Sequence, residues 1–167
     1  LLANERYVGE NELPFFIAEI GNNHNGSIEL AKNMMKICKE LGVDAVKFQV
    51  KDIETAFSKE LLDKPYEGSN SFGKTYREHK EALEFSKEEL KIIFDYAKEL
   101  DIICFATPFD KKSVKILEEL NNPIYKISSF HVTDFELIKA IAETSKPIIL
   151  STGMSSIEEI DKAVDII

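Results

Sequence analysis

The chain has 167 residues, and its 44% hydrophobic and 31% charged content is ordinary for one globular domain with a buried core. The formal net charge of −9 argues against nucleic acid or an anionic membrane surface as a partner. No apolar run reaches the roughly 18 residues of a membrane-spanning helix. Cys38 and Cys104 lie in apolar patterns without a CxxC pair, so we expect reduced thiols and a cytoplasmic location.

The first half of the chain begins with two strand predictions. Phe15–Ile20 is predicted as a strand, and Ser27 can cap the amphipathic helix that follows it. Asp44–Val50 is predicted as the second strand. The polar stretch Lys51–Phe85 is predicted as a long loop with one short helix over Tyr76–Leu83, and loops of this length are usually functional or disordered.

The second half repeats the strand–helix pattern three times. Three apolar runs are predicted as strands: Ile102–Thr107, Ile124–Ile127 and Pro147–Leu150. Ser86 begins a capping-box pattern before one helix, and Thr133 begins a second such pattern before another. Ser155 or Ser156 caps the last helix.

The order of these elements predicts an α/β fold with a parallel sheet, because each strand is a continuous apolar run. Both a doubly wound open sheet and part of a closed barrel fit this order. Polar side chains lie at or just after the carboxyl ends of all five strands: Glu19, Lys47, Gln49, Thr107, Lys126, Ser129 and Ser151. Barrels use every strand end, whereas open sheets bind at one switch point. We therefore predict a partial TIM-type (β/α) barrel in which residues 1–167 form one domain of about five of the eight units.

Two lysines interrupt the apolar strands. Burial of an unpaired ammonium is costly, so Lys47 and Lys126 each need a carboxylate of the protein or an anionic ligand. A purely structural ion pair is an open alternative for each of them. Two lysines at two strand ends, followed by the hydroxyl donors Ser128 and Ser129, favour an anion site.

Six blocks of sequence stand out in chain order: IAEIGNNHNG at 17–26, DAVKFQ at 44–49, YREHK at 76–80, FATPFD at 105–110, YKISS at 125–129 and KPIILSTGM at 146–154. Together they resemble the sialic acid synthase family, which includes the N-acetylneuraminate, legionaminic acid and pseudaminic acid synthases. The resemblance implies a transferase that condenses phosphoenolpyruvate with an N-acetylated aminosugar to give a nonulosonic acid and phosphate. It also implies a homo-oligomer, such as a dimer, and a divalent manganese or magnesium ion.

The resemblance further implies which residues act. The catalytic candidates are Lys47, Gln49, Lys126 and Asn23, and the substrate-binding candidates are Thr107, Ser129, Ser151, His24, Asn25 and His131. Asn25 and His131 are departures, because many family members carry glutamate at both positions. The metal ligands, the other barrel units and an antifreeze-like domain are expected outside this chain. We therefore assign no metal ligand and expect this chain alone to be inactive.

Two other functions fit the same residues. Lys126 or Lys47 could form a Schiff base in an aldolase, because desolvated lysines act as nucleophiles in barrels. A non-catalytic partial barrel could instead bind acidic ligands, or associate with itself through unpaired strand edges.

Overall fold

The computed structural model describes residues 6–167. Five parallel strands form one sheet in the order in which they occur in the chain: β1 (Ile17–Gly21), β2 (Ala45–Val50), β3 (Ile103–Pro108), β4 (Tyr125–Ile127) and β5 (Ile148–Leu150). The strand order never reverses, so the sheet has no switch point of the kind that defines a doubly wound fold. The predicted parallel α/β sheet of five strand–helix units is confirmed.

Eight α-helices connect and follow the strands in the described part of the chain: α1 (Ile28–Glu40), α2 (Ile53–Ala56), α3 (Lys59–Leu62), α4 (Tyr76–Glu81), α5 (Lys87–Glu99), α6 (Lys111–Glu119), α7 (Phe135–Ala142) and α8 (Ile157–Ile166). A 3₁₀ turn covers Ser129–His131 after β4. None of the helices between residues 6 and 167 has the length and apolarity needed to cross a membrane.

The caps of the longer helices follow the sequence prediction with one exception. Ser27, Ser86 and Ser156 accept hydrogen bonds from the first turns of α1, α5 and α8. The cap of α7 was predicted one residue too early. The capping residue is Asp134, whose carboxylate accepts a hydrogen bond from the Leu137 N–H at 3.0 Å. The turn before α7 extends to Asp134, whose N–H donates to the His131 carbonyl, so the helix begins one residue later than predicted.

The two faces of the sheet have different environments because side chains alternate along each strand. The outer face packs against the helices and contains most of the core, including Val46, Phe48 and Tyr125. The inner face carries a smaller buried cluster of Ala45, Ile103, Phe105 and Ile124. Continuing the same alternation towards the strand ends places polar residues on this inner face, above the apolar cluster.

The connection between β2 and α5 is more ordered than predicted. Instead of one helix in a loop it contains α2, α3 and α4, and a single antiparallel bridge joins Pro65 to Thr75. The two helices missed by the sequence have four residues each, too few for a periodic pattern. Cys38 and Cys104 are free thiols, and burial raises the pKa of both.

Candidate active site

The carboxyl ends of the strands surround a cavity of about 320 Å³. It is lined by Glu19, Lys47, Gln49, Thr107, Phe109, Lys126, Ser128, Ser129, Phe130 and Ser151. The alternation of side chains along a strand explains which strand residues line the cavity. They follow the residues of the inner-face apolar cluster at a spacing of two and therefore point to the same face. Six of the predicted site residues therefore meet in one place, namely Lys47, Gln49, Thr107, Lys126, Ser129 and Ser151.

The Lys126 ammonium is hydrogen-bonded to oxygen atoms of uncharged groups. Its Nζ donates to the Ser151 hydroxyl at 2.6 Å and to the Ile127 carbonyl at 2.8 Å. Burial lowers the pKa of Lys126, the neighbouring Lys47 ammonium lowers it further, and Glu19 acts in the opposite direction. Within residues 6–167 no carboxylate forms an ion pair with Lys126. The ammonium can therefore accept an anionic partner from solution.

Lys47 lies beside Lys126 and is more deeply buried. Its Nζ is 3.5 Å from the Thr107 hydroxyl and 3.6 Å from Oε2 of Glu19. The structural ion pair left open by the sequence therefore exists for Lys47, but its acidic partner is mostly exposed. The arrangement places two ammonium groups and several hydroxyls around one small cavity, which is suited to an anion with more than one negative group.

Two of the predicted asparagines lie outside this cavity. Asn23 is exposed, and its side-chain amide donates to the Ile20 carbonyl at 2.8 Å. It faces a groove beside α1 together with Met34. Asn25 is also exposed, and its backbone has a positive φ of 51° in the turn before α1. Both residues shape the β1–α1 turn rather than the cavity.

His24 is likewise not part of the cavity lining. Its side chain is 2% exposed, and its ring stacks on Phe85 with the ring centroids 4.1 Å apart. Nδ1 accepts a hydrogen bond from the Gly26 N–H at 3.1 Å. Burial lowers the pKa of His24 to about 4, so the ring is neutral at pH 7. This histidine holds the β1–α1 turn, and the predicted contact with substrate does not follow from its position.

His131 lies behind the cavity and reaches it through a serine. Its Nδ1 is 3.0 Å from the Ser128 hydroxyl, which lines the cavity. The ring packs on Phe130 and Phe109 with centroid distances of 4.1 Å and 5.2 Å. Burial lowers the pKa of His131, while Asp134 acts in the opposite direction.

Some cavity residues were not identified as site residues from the sequence. Phe109 and Phe130 line the cavity, and each follows the end of a strand, which is the signal that could have identified them. Lys51 and Glu84 form a buried ion pair of 2.9 Å directly behind it. These two residues are 33 positions apart in the chain, so no local pattern signals their pairing.

Another large groove of the described surface is less suited to binding an anion than the strand-end cavity. A groove of about 710 Å³ between α6 and α7 is larger than the strand-end cavity, but both acidic and basic groups line it, including Lys111 and Glu118. The Lys111 ammonium is paired with Glu136 at 3.3 Å. Within residues 6–167 no set of three or more His, Cys, Asp or Glu side chains is arranged to hold a metal ion.

Comparison with known proteins identifies the family. The NeuB family matches residues 34–167. The chain is 39% identical to the N-acetylneuraminate-9-phosphate synthase of Mus musculus, over 97% of this chain and 45% of the relative. It is 36% identical to the N,N'-diacetyllegionaminic acid synthase of Campylobacter jejuni, over 90% of this chain and 46% of the relative.

A solved structure gives the same answer. The N-acetylneuraminic acid synthetase of Leptospira borgpetersenii superposes with a TM-score of 0.82 at 30% identity, over 99% of this chain and 54% of that protein. The chain spans about half the length of the curated relatives it matches. The sheet of five successive β/α units is thus the partial barrel predicted from the sequence. The resemblance to sialic acid synthases is confirmed, and the chain belongs to the NeuB family.

Proposed function

We propose that this chain carries the phosphoenolpyruvate-binding part of a transferase that condenses phosphoenolpyruvate with an N-acetylated aminosugar, giving a nonulosonic acid and phosphate. The observation that carries the proposal is the pair of ammonium groups, Lys47 and Lys126, at one cavity of about 320 Å³. Phosphoenolpyruvate bears a phosphate and a carboxylate close together, and two preorganised cations offset both charges. The names of the relatives, which are sialic and legionaminic acid synthases, support this reaction.

In this reaction carbon 3 of phosphoenolpyruvate forms a bond to the aldehyde carbon of the open-chain sugar, and the aldehyde oxygen takes up a proton. Water then adds at carbon 2 and gives up one proton. The tetrahedral intermediate loses inorganic phosphate as the bond between carbon 2 and the phosphate oxygen breaks, and the carbon 2 hydroxyl becomes the keto group as its proton passes to the phosphate. Lys126, together with Ser151, is placed to stabilise the charge of the phosphate before and after it leaves. Lys47 and Thr107 supply further donors to the same cavity.

The family resemblance implies manganese or magnesium, which would polarise the sugar aldehyde. The described residues do not fit such an ion, because they provide no cluster of three or more suitable side chains. We therefore assign this chain the binding of the phosphorylated substrate and no metal-dependent step. We propose that residues 1–167 are one domain forming the N-terminal part of a (β/α)8 barrel, that the metal ligands lie outside it, and that it is inactive alone.

The test is calorimetric binding of phosphoenolpyruvate to the wild-type chain and to Lys126→Met. Loss of one charge-assisted hydrogen-bonding group should weaken binding by about 10- to 100-fold, the equivalent of about 1.5–3 kcal/mol. Lys139→Met removes the same charge from an exposed position on α7 and should leave the affinity unchanged. Equal affinities of wild type and Lys126→Met, or no binding to either, would refute the assignment.

One observation favours a Schiff-base aldolase as the second candidate. The lowered pKa of Lys126 increases the fraction of neutral amine, which is the form that attacks a carbonyl carbon. In that reaction the amine displaces water from a 2-keto acid to form an imine, and borohydride reduces the imine to a stable secondary amine. Incubation with pyruvate and borohydride, followed by mass spectrometry, separates the two: an adduct on Lys126 supports the aldolase, and its absence supports the synthase.

We also propose that the chain acts as a cytoplasmic homo-oligomer. The free thiols of Cys38 and Cys104 are compatible with a reducing compartment. Strands β1 and β5 are the two edges of the sheet in the described part of the chain, and Phe16 beside β1 is largely exposed. Unpaired strand edges next to apolar side chains favour association. Light scattering that shows a stable monomer would contradict the oligomer.

A further inference from the structure

Behind the cavity, Lys51 contacts two of the residues that line it. Its side chain is 4% exposed, and its Nζ donates to Oε1 of Gln49 at 3.1 Å. The same ammonium lies 4.4 Å from the ring centroid of Phe109. Gln49 and Phe109 both line the cavity, whereas Lys51 does not. Lys51 can therefore influence the site only through these neighbours.

Glu84 holds the Lys51 ammonium in place. Its Oε1 pairs with Lys51 Nζ at 2.9 Å, and its Oε2 accepts from the Lys51 backbone N–H at 3.2 Å. Burial lowers the pKa of Lys51 and raises the pKa of Glu84, while their mutual attraction opposes both shifts. Neither group can leave its partner without leaving a buried charge uncompensated, which is strongly unfavourable. The ammonium therefore has one well-defined position.

That position decides the orientation of the Gln49 amide. An ammonium has three donors and no acceptor, so only the carbonyl oxygen of the amide can face it. The reversed amide would set its NH₂ group against the positive charge and lose the hydrogen bond. Nε2 consequently lies beside Gly21, 3.6 Å from where a Cβ on that residue would be. Among residues 6–167 no acceptor forms a hydrogen bond with Nε2.

We propose that Lys51, held by Glu84, is a positioning residue that fixes the Gln49 carboxamide so that the cavity receives N–H donors from it and never an acceptor. The site then selects a ligand oxygen with free lone pairs at this point, such as a carboxylate or carbonyl oxygen. The identity of the ligand as phosphoenolpyruvate rests on the proposed function, whereas the orientation of the amide does not.

The chain offers a direct probe, because Gln49 is its only glutamine. Labelling with side-chain ¹⁵N-glutamine gives one NH₂ pair in the NMR spectrum of the protein. In the wild type these protons should show a strong nuclear Overhauser effect to the Gly21 Hα, since Nε2 lies beside that residue. The test variant is Lys51→Met combined with Glu84→Met, which removes both charges together, leaves no buried carboxylate unpaired and adds no second glutamine to the spectrum.

In the double variant the amide should flip between its two orientations, so the effect to Gly21 weakens by about half or more while other signals stay in place. Lys139→Met, on α7, should leave it unchanged. An unchanged effect in the double variant overturns the proposal, and this arm needs no ligand.

Phosphoenolpyruvate affinity provides the second arm as a mutant cycle. In the wild-type background the double variant should bind phosphoenolpyruvate about three- to tenfold more weakly than wild type. In a Gln49→Ala background the same two changes should cause no further loss of affinity. An equal loss in both backgrounds shows that Lys51 acts by another route and overturns the proposal. Absence of binding to wild type would refute the proposed ligand while leaving the NMR result to decide the orientation.

Discussion

Glu19 and Lys47 are register partners on adjacent strands, and the carboxylate oxygen Oε2 of Glu19 lies 3.6 Å from Lys47 Nζ. Their environments are unequal, because 6% of the lysine side chain is exposed against 66% of the glutamate side chain. A carboxylate surrounded by water contributes little to an ion pair. The pair therefore moderates the positive charge of the cavity without cancelling it.

This relationship predicts that Glu19→Gln strengthens anion binding. Removal of the nearby negative charge should raise the affinity for inorganic phosphate about two- to fivefold at low salt, corresponding to at most about 1 kcal/mol. Glu29→Gln removes an equal charge from the exposed first turn of α1 and should have no effect. Calorimetry at low and high salt checks both, and weaker phosphate binding by Glu19→Gln would contradict the prediction.

The pKa of His24 predicts a loss of stability in acid. The folded protein holds this pKa at about 4, against 6.5 for an unperturbed histidine. Below pH 6.5 the unfolded chain binds a proton at this ring that the folded protein does not, so stability falls as the pH drops from 6.5 to 4 and levels off below. The full loss from this group is about 3 kcal/mol.

Urea unfolding at about pH 7.5 and about pH 4.5 measures this loss. His24→Gln should reduce the difference in unfolding free energy between the two pH values by about 2–3 kcal/mol, because glutamine does not titrate. The remaining titrating groups are common to both proteins and cancel in the comparison. The same pH dependence in wild type and variant would show that His24 takes up its proton equally in both states.

Two glycines with the same backbone conformation differ in the space around them. Gly26 and Gly42 have φ of +75° and +76°, but a Cβ on Gly26 would overlap the Ala82 carbonyl oxygen, whereas a Cβ on Gly42 would meet nothing within 4 Å. Gly42→Ala should cost about 1–2 kcal/mol for the left-handed conformation alone. Gly26→Ala should cost about 1–3 kcal/mol more from the overlap. Equal unfolding free energies of the two variants would contradict this.

The cap of α7 gives a similar matched pair. Asp134→Ala removes the carboxylate that accepts from the Leu137 N–H and should destabilise the protein by about 1 kcal/mol. Thr133→Ala changes the neighbouring exposed residue, which does not cap the helix, and should stay within about 0.5 kcal/mol of wild type. Thermal unfolding of both distinguishes them, and a larger effect at Thr133 would restore the cap predicted from the sequence.

Local patterns in the sequence were sufficient for the five strands and for the helices of eight residues or more. Apolar runs, helical periodicity and capping residues act over a few neighbours, so they are readable without a partner. The same patterns marked Lys47 and Lys126 as charges within apolar strands, and two-residue alternation placed both on the inner face. The helices α2 and α3 were missed because four residues make barely one helical turn, which is too short for a periodic pattern to repeat.

Tertiary structure decided which residues outside the strands reach the cavity. Asn23, His24 and Asn25 come directly after β1, yet the turn before α1 directs them away from the cavity, and His24 packs into the core instead. The Lys51–Glu84 pair joins residues 33 positions apart, which the connection containing α2, α3 and α4 brings together. The hydrogen bond from Lys51 to Gln49 depends on that same packing. Sequence fixes what each segment prefers over a few residues, whereas contacts between distant segments depend on how the whole chain packs.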